Sequence, residues 1–309
     1  MERSADSLDK DAVHPFGRHA DWNESFYFNF YDRDQDICAF MRIGLKPNKN
    51  EKNMICYLLP SDGHVVGTRD VVSFTGPQLQ VKGLSLTRKV ADKEWRLEYS
   101  GSMRRTVGSR VERRNVVFDL SYKALNKVFD YRESVSGYTE LVTKVAPAEH
   151  NEQFGRIEGT ITIEDTKIPI NGLGERDHAW GTTDWVAPST WTWLSGQFSE
   201  KVAFNFTKLV VAKETVDAGF IHIDGKNRPI VKVDLSTEFS KTGAPTSLKT
   251  YLFEEDGEVH EIAGAIVRTA RLPFAGNLAT SISLMYETLT KYRMGDATGY
   301  GVAEYLVRG

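Results

Sequence analysis

From Ser25 onward, hydrophobic positions recur at every second residue in runs of about six to ten. Short polar turns separate the runs, and the three-to-four spacing of an amphipathic helix is missing. SFYFNFYD (Ser25–Asp32), ICAFMRIGL (Ile37–Leu45) and NMICYLLP (Asn53–Pro60) are rich in aromatic and β-branched residues, and Asp62-Gly63 marks a tight turn into HVVGTRDVV. The same pattern predicts strands at EWRLEYSGS, at NVVFDLSYKAL and at RIEGTITIED (Arg156–Asp165), the last pairing with KIPINGLG through a short Asp-Thr turn. WTWLSGQF, VAFNFTKLVVA, PIVKVDLSTEF, SLKTYLFEE and VHEIAGAIVRTARL follow, with Asp256-Gly257 joining the last two as a hairpin. SISLMYETLTKYRM, the turn GDATG and YGVAEYLV close the chain. The stretch APAEHNEQF (Ala146–Phe154) is the most polar interruption between strands and reads as a loop, with a short helical turn near Ala146–Gln153.

So many strands in one open sheet would leave exposed edges, which all-β proteins remove by closing barrels or curling sandwiches. The 309 residues fit two such β units in tandem. The boundary is expected near Gly172–Gly174, dividing the chain into an N-terminal unit of residues 1–173 and a C-terminal unit of residues 174–309. Junctions of this kind favour ligand pockets.

Composition narrows the function. Net charge is -3 and charged residues make up 26% of the chain, so no basic surface suits a nucleic acid. The opening MERSADSLDKDAVHPF has no apolar signal core, and no run of about 18 apolar residues follows, which predicts a cytoplasmic protein without stable membrane insertion. Cys38 and Cys56 read as reduced core thiols, with a single bridge between them as the alternative.

Chemistry concentrates in GLGERDHAWGTTDW (Gly172–Trp185), which sets Glu175, Arg176, Asp177, His178 and Asp184 among tryptophans. Four of the six tryptophans of the chain, Trp180, Trp185, Trp191 and Trp193, fall within this motif and the strand after it. Aromatic faces offer a surface to an unsaturated ligand and stabilise a developing cation. In an extended segment Arg176, His178 and Trp180 face one way and Glu175, Asp177 and Ala179 the other. Burial raises a carboxyl pKa and lowers that of histidine, bringing Asp177, His178 or Asp184 into the range useful for general acid–base catalysis. The competing reading is a buried ion-pair network that pins two units together, with the tryptophans as filler. Arg176 suits that structural role, clamping Asp177 or Asp184, while His178 and Trp180 are expected to reach a cavity.

Other chemistries leave no adequate trace. There is no HExxH, CxxC, P-loop, strand-to-helix GxGxxG or GxSxG. A metal held by His178 with Asp177 and Asp184 is disfavoured, because adjacent side chains of a strand point to opposite faces. Near the C-terminus Glu304 and Tyr305 are secondary candidates for the pocket wall.

The motif GERDHAWGTTDW and the ending TGYGVAEYL resemble the carotenoid 1,2-hydratase (hydroxyneurosporene synthase) group of lipocalin-like proteins, in particular its bacterial two-unit relatives. The match covers Gly174, Arg176, Asp177, His178, Trp180, Gly181, Asp184 and Trp185, with Ala179 standing where many relatives carry a small hydroxyl residue. The resemblance implies two lipocalin-like β-barrels with a hydrophobic pocket near their junction, and chemistry without a redox or metal cofactor. It includes enzymes that hydrate isoprenoid double bonds, a plant-phenolic hydratase and fungal cyclases. The expectation is therefore a lyase or isomerase (hydratase, dehydratase or cyclase type) acting on an isoprenoid or a polycyclic or aromatic compound. Asp177, His178 and Asp184 would be catalytic, and Trp180, Trp185, Trp191, Trp193, Glu304 and Tyr305 would bind substrate. A non-catalytic carrier of a lipophilic metabolite is the alternative.

Overall fold

The structure, a computed structural model, describes residues 9–107, 110–134, 149–182, 188–211, 214–274 and 283–308. The described residues form an almost entirely β protein in two closed units. The first contains β1 (Trp22–Asp32), β2 (Ile37–Lys46), β3 (Glu51–Leu59), β4 (Val65–Val72), β5 (Gln80–Val81), β6 (Leu84–Val90), β7 (Glu94–Val107), β8 (Arg110–Ala124), β9 (Phe129–Asp130), β10 (Glu149–Ile163) and β11 (Thr166–Thr182). Its strand order is β4-β3-β2-β1-β11-β10-β8-β7-β6-β5, and a short β4–β7 pairing at Val65–Gly67 joins two members of that series. Eight strands thereby form a ring, with β5 and β6 appended to β7 and β9 to β10. The second unit is a closed up-and-down barrel of β12 (Pro188–Ser199), β13 (Val202–Val211), β14 (Glu214–Ile223), β15 (Lys226–Phe239), β16 (Pro245–Glu254), β17 (Val259–Phe274), β18 (Ser283–Met294) and β19 (Ala297–Val307). Closure leaves the barrel with no strand edge open to another chain.

Period-two alternation sorts the side chains into four apolar clusters, the smallest joining Phe129, Tyr131 and Phe154 to Ala203, Ala218 and Phe220. Phe26, Phe28 and Phe30 of β1 fill the first ring with Trp95, Leu97, Tyr122 and Ile157. Phe204, Phe206, Ile221, Leu252 and Tyr292 fill the second. Between the units, Tyr27, Cys38, Phe40 and Leu59 meet Trp191, Trp193, Leu209, Leu289 and Val302. Each fully buried large side chain contributes roughly 1.5–3 kcal/mol, so this third layer is substantial glue.

Two expectations need correction. The segment read as a loop is strand from Glu149, and His150, Asn151, Glu152 and Gln153 are buried on both of its faces. Polarity misled because β10 is sandwiched between two polar environments, not because it is exposed. The boundary at residue 173 also fails, since β11 runs unbroken through Gly174 and pairs with β1 and β10. The passage from one unit to the next falls between Thr182 and Pro188. The glycines that suggested a break serve the strand pairing: a Cβ at Gly174 would lie 1.9 Å from the Asn29 carbonyl oxygen. Cys38 and Cys56 are free and buried. Among the described residues no helix is long and apolar enough to cross a membrane.

Candidate active site

Strand β11 presents different chemistry on its two faces. Arg176 and His178 point into the first ring, where the N-terminal segment meets them. The Arg176 guanidinium pairs with Asp11 at 2.5 Å and donates from Nε to the Gln153 side-chain carbonyl at 2.7 Å. His178 is fully buried, with Nδ1 2.9 Å from the Lys10 carbonyl oxygen and Nε2 2.9 Å from Glu24 Oε1. Its ring stacks on Phe26, and Trp180 stacks on His14 with ring centroids 3.8 Å apart. These residues fasten residues 10–14 into the mouth of the ring.

The opposite face looks towards the second barrel. Antiparallel register lines up Arg42 of β2, Tyr27 of β1, Asp177 of β11 and Glu152 of β10 as a row of cross-strand neighbours. The facing wall repeats the device, with Trp193 of β12 beside Glu304 of β19, which in turn pairs with Glu287 of β18. A cavity of about 70 Å³ lies between the walls, lined by Tyr27, Arg42, His150, Asp177, Trp191, Trp193 and Glu304, with Asn23, Ser25 and Ala179 completing the lining.

Two acidic centres flank this cavity. In the first, His150 Nε2 lies 2.8 Å from Glu152 Oε1 and 3.3 Å from Asp177 Oδ2, and Trp193 Nε1 donates to Glu152 Oε1 at 2.8 Å. Burial opposes a charge on His150, but the carboxylates of Asp177 and Glu152 outweigh it and push the pKa up to about 10. The imidazolium therefore holds Asp177 in place, and Asp177 Oδ1 has no hydrogen-bond partner among the described residues. Burial, reinforced by the Asp177 charge, raises Glu152 to about 7. Behind it, burial and the Glu152 charge hold Glu175 well above the usual carboxylate range.

In the second centre, burial and the charge of Glu304 push Glu287 well above the carboxylate range. Burial also raises Glu304, against the hydrogen bond it receives from Glu287. Tyr27 donates to Glu287 Oε2 at 3.3 Å. Two carboxyls paired across neighbouring strands and shielded from solvent do not readily ionise together, so the pair retains a proton at neutral pH. Between the centres, burial lowers the pKa of Arg42 while Asp177 and Glu304 counter it, which makes its guanidinium the shared counter-ion.

Of the residues singled out in the sequence, Asp177, Trp191, Trp193 and Glu304 come together around the cavity. His178 and Trp180 do not line it: they share a face as expected, but that face turns into the first ring. Tyr305 points into the second barrel, where its hydroxyl accepts from Thr237 at 3.3 Å. Arg176 makes the buried pair expected of it, with Asp11 in place of Asp177 or Asp184 as partner. Asp184 and Trp185 lie outside the described residues. His150, Glu152, Arg42 and Glu287 went unnoticed in the sequence. The alternation His150-x-Glu152 was the available signal for two of them.

A family model described as "Domain of unknown function (DUF7064)" matches residues 7–308, and the chain belongs to this family. No curated protein sequence matches it significantly. Among solved structures, the fold is similar to that of CghA with Sch210972, at a TM-score of 0.61 and 10% identity over 93% of this chain and 89% of that one. An AttH candidate (NE1406) from Nitrosomonas europaea superposes with a TM-score of 0.63 at 13% identity, over 96% of this chain and 97% of that one. Kievitone hydratase from Nectria haematococca gives a TM-score of 0.58 at 12% identity, over 92% and 88%. At these identities the likeness is one of fold. It is the two-unit lipocalin-like β architecture that the resemblance implied.

Proposed function

We propose that this member of the DUF7064 family is a lyase or isomerase that uses its own acid–base groups on an unsaturated, largely apolar small molecule held between the two β units. One observation carries the reading. Glu304, which shares a proton with Glu287 behind it, and a carboxylate oriented by an imidazolium, Asp177–His150, border one cavity with Trp191 and Trp193. One of the similar folds is named a hydratase, which agrees with this class of reaction.

In the hydration sense, Glu304 delivers the proton it shares with Glu287 to one carbon of a double bond. The cation that forms on the neighbouring carbon faces the indole rings of Trp191 and Trp193. Water adds there as Asp177 Oδ1 takes its proton, and that proton returns to the Glu287–Glu304 pair within the same cavity. Dehydration runs the steps backward; in ring closure a second double bond of the substrate attacks the cation, and Asp177 takes a proton from the carbon beside the new cation, which restores a double bond. The indole faces of Trp191 and Trp193 suit the unsaturated part of an isoprenoid or a polycyclic or aromatic compound, whose entry requires the walls to part.

The test starts from whatever small molecule copurifies, identified by native mass spectrometry. Incubation of its complex in D2O or H2(18)O is expected to place deuterium on carbon or ¹⁸O in the recovered molecule, and Glu304→Gln is expected to retain the ligand without labelling it. Recovery of an unlabelled ligand from the wild-type protein would sink the enzyme reading in favour of a carrier.

A further inference from the structure

His14, Glu24 and His178 form a second cluster of ligand-capable groups, buried and on the far side of β11 from the proposed active site. Pairing of β1 with β11 sets Phe26 opposite His178 and Glu24 opposite Trp180, so Glu24 is the diagonal neighbour of His178 on the inward face. The N-terminal segment then brings His14 over both. Glu24 Oε1 lies 2.8 Å from His14 Nδ1 and 2.9 Å from His178 Nε2, while the His14 backbone N–H donates to both carboxylate oxygens.

The tautomer of His178 is the telling feature. Its Nδ1 faces the Lys10 carbonyl, which can only accept, so the ring proton belongs there. The lone pair of Nε2 is then aimed at a carboxylate oxygen. A backbone carbonyl that accepts from one imidazole nitrogen is the contact that orients metal-ligating histidines and leaves the other nitrogen for the ion. Polar groups around the cluster also lack partners. Both side-chain heteroatoms of Asn151, the β10 residue paired with His178, make no hydrogen bond among the described residues, and neither does His14 Nε2.

We propose that His14, Glu24 and His178 bind a divalent transition-metal cation of the zinc type, which ties the N-terminal segment to the first ring. The spacing fits. Two imidazoles on a tetrahedral ion with metal–nitrogen bonds of ~2.0–2.1 Å place their ring centroids roughly 5 Å apart; those of His14 and His178 are 5.4 Å apart. Insertion of the ion requires the ligand atoms to spread by roughly half an ångström, to the ~3.3 Å of a tetrahedral edge. Three protein ligands leave a fourth position. His14 and Glu24 also border an apolar cavity of about 300 Å³, walled by Phe16, Trp22 and Phe74. The sequence argument against a metal weighed only Asp177 and Asp184 as partners of His178, whereas the fold supplies ligands from β1 and the N-terminal segment.

The experiment uses the full chain, stripped with a chelator and dialysed. Titration with Co²⁺, read by its visible absorption, and with Zn²⁺, read by calorimetry and by metal analysis after gel filtration, is expected to show one ion per chain. His14→Ala should weaken uptake by roughly 100-fold, on the scale by which disturbing a site's ligand shell reduces affinity. Because His14 lies on the N-terminal segment, circular dichroism of this variant checks that the barrels remain folded, and Glu24→Gln supplies an isosteric second variant. His150→Ala, at the other histidine–carboxylate cluster, should bind as the wild type does. No uptake by the wild-type protein, unchanged uptake in both His14→Ala and Glu24→Gln, or loss only in His150→Ala would each overturn the assignment.

Discussion

Replacing His150 by leucine removes the cation that holds Asp177 and Glu152 beside one another. In the folded protein the imidazole, normally near 6.5, is pushed up to about 10. A group whose folded pKa is raised stabilises the fold fully below its unfolded pKa and loses that contribution as pH rises through the folded one. The window for His150 is therefore pH 6.5 to about 10, and the full contribution is on the order of 5 kcal/mol. Breaking a buried pair by removing one member costs a similar ~3–5 kcal/mol, because the remaining charge is stranded. At roughly 2–4 °C per kcal/mol, His150→Leu should lower Tm by about 10 °C near pH 6.5, and the deficit should shrink steadily towards pH 10. Thermal unfolding for Tm and denaturant unfolding for free energy, both across this range, supply the assay. The double variant His150→Leu/Asp177→Asn removes both charges and should recover much of the loss, giving a coupling energy in a double-mutant cycle. A deficit independent of pH, or a double variant no better than the sum of the single ones, would refute the electrostatic account and leave only packing.

Arg176→Ala should destabilise by ~3–5 kcal/mol in thermal unfolding, because Asp11 is left buried without its partner, and Asp11→Asn should partly rescue it. Glu287→Gln should do the reverse for stability. A carboxyl whose folded pKa is raised binds its proton more tightly in the folded state, so stability declines as pH rises above the unfolded value near 4.5. The neutral amide escapes that decline, and the variant should melt higher at pH 7 while losing turnover, on the order of 10²-fold or more if the shared proton is the one delivered.

The all-β fold was legible because alternation is a local property: FYFNF or WTW shows both faces of its strand whatever the partner. Alternation also divided GERDHAW correctly into two sets. It did not tell which set meets the cavity, because the answer depends on Asp11 and His14 returning from a segment without periodicity to occupy the inner face. The acidic centres were hidden for a related reason. Glu152 lies far in sequence from Trp193, and Arg42 far from Asp177, so only strand register brings them into one wall. In β10 the polar residues resembled a loop, since a strand polar on both faces has no apolar stripe to announce it.

A crystal structure of the protein with its copurifying small molecule would locate the site directly. The account predicts the molecule between the units, against Trp191 and Trp193, with its reacting carbons between Glu304 and Asp177. Density inside the first ring or the second barrel, or beside Phe16, Trp22 and Phe74, with the space between the units free of it, would contradict the account.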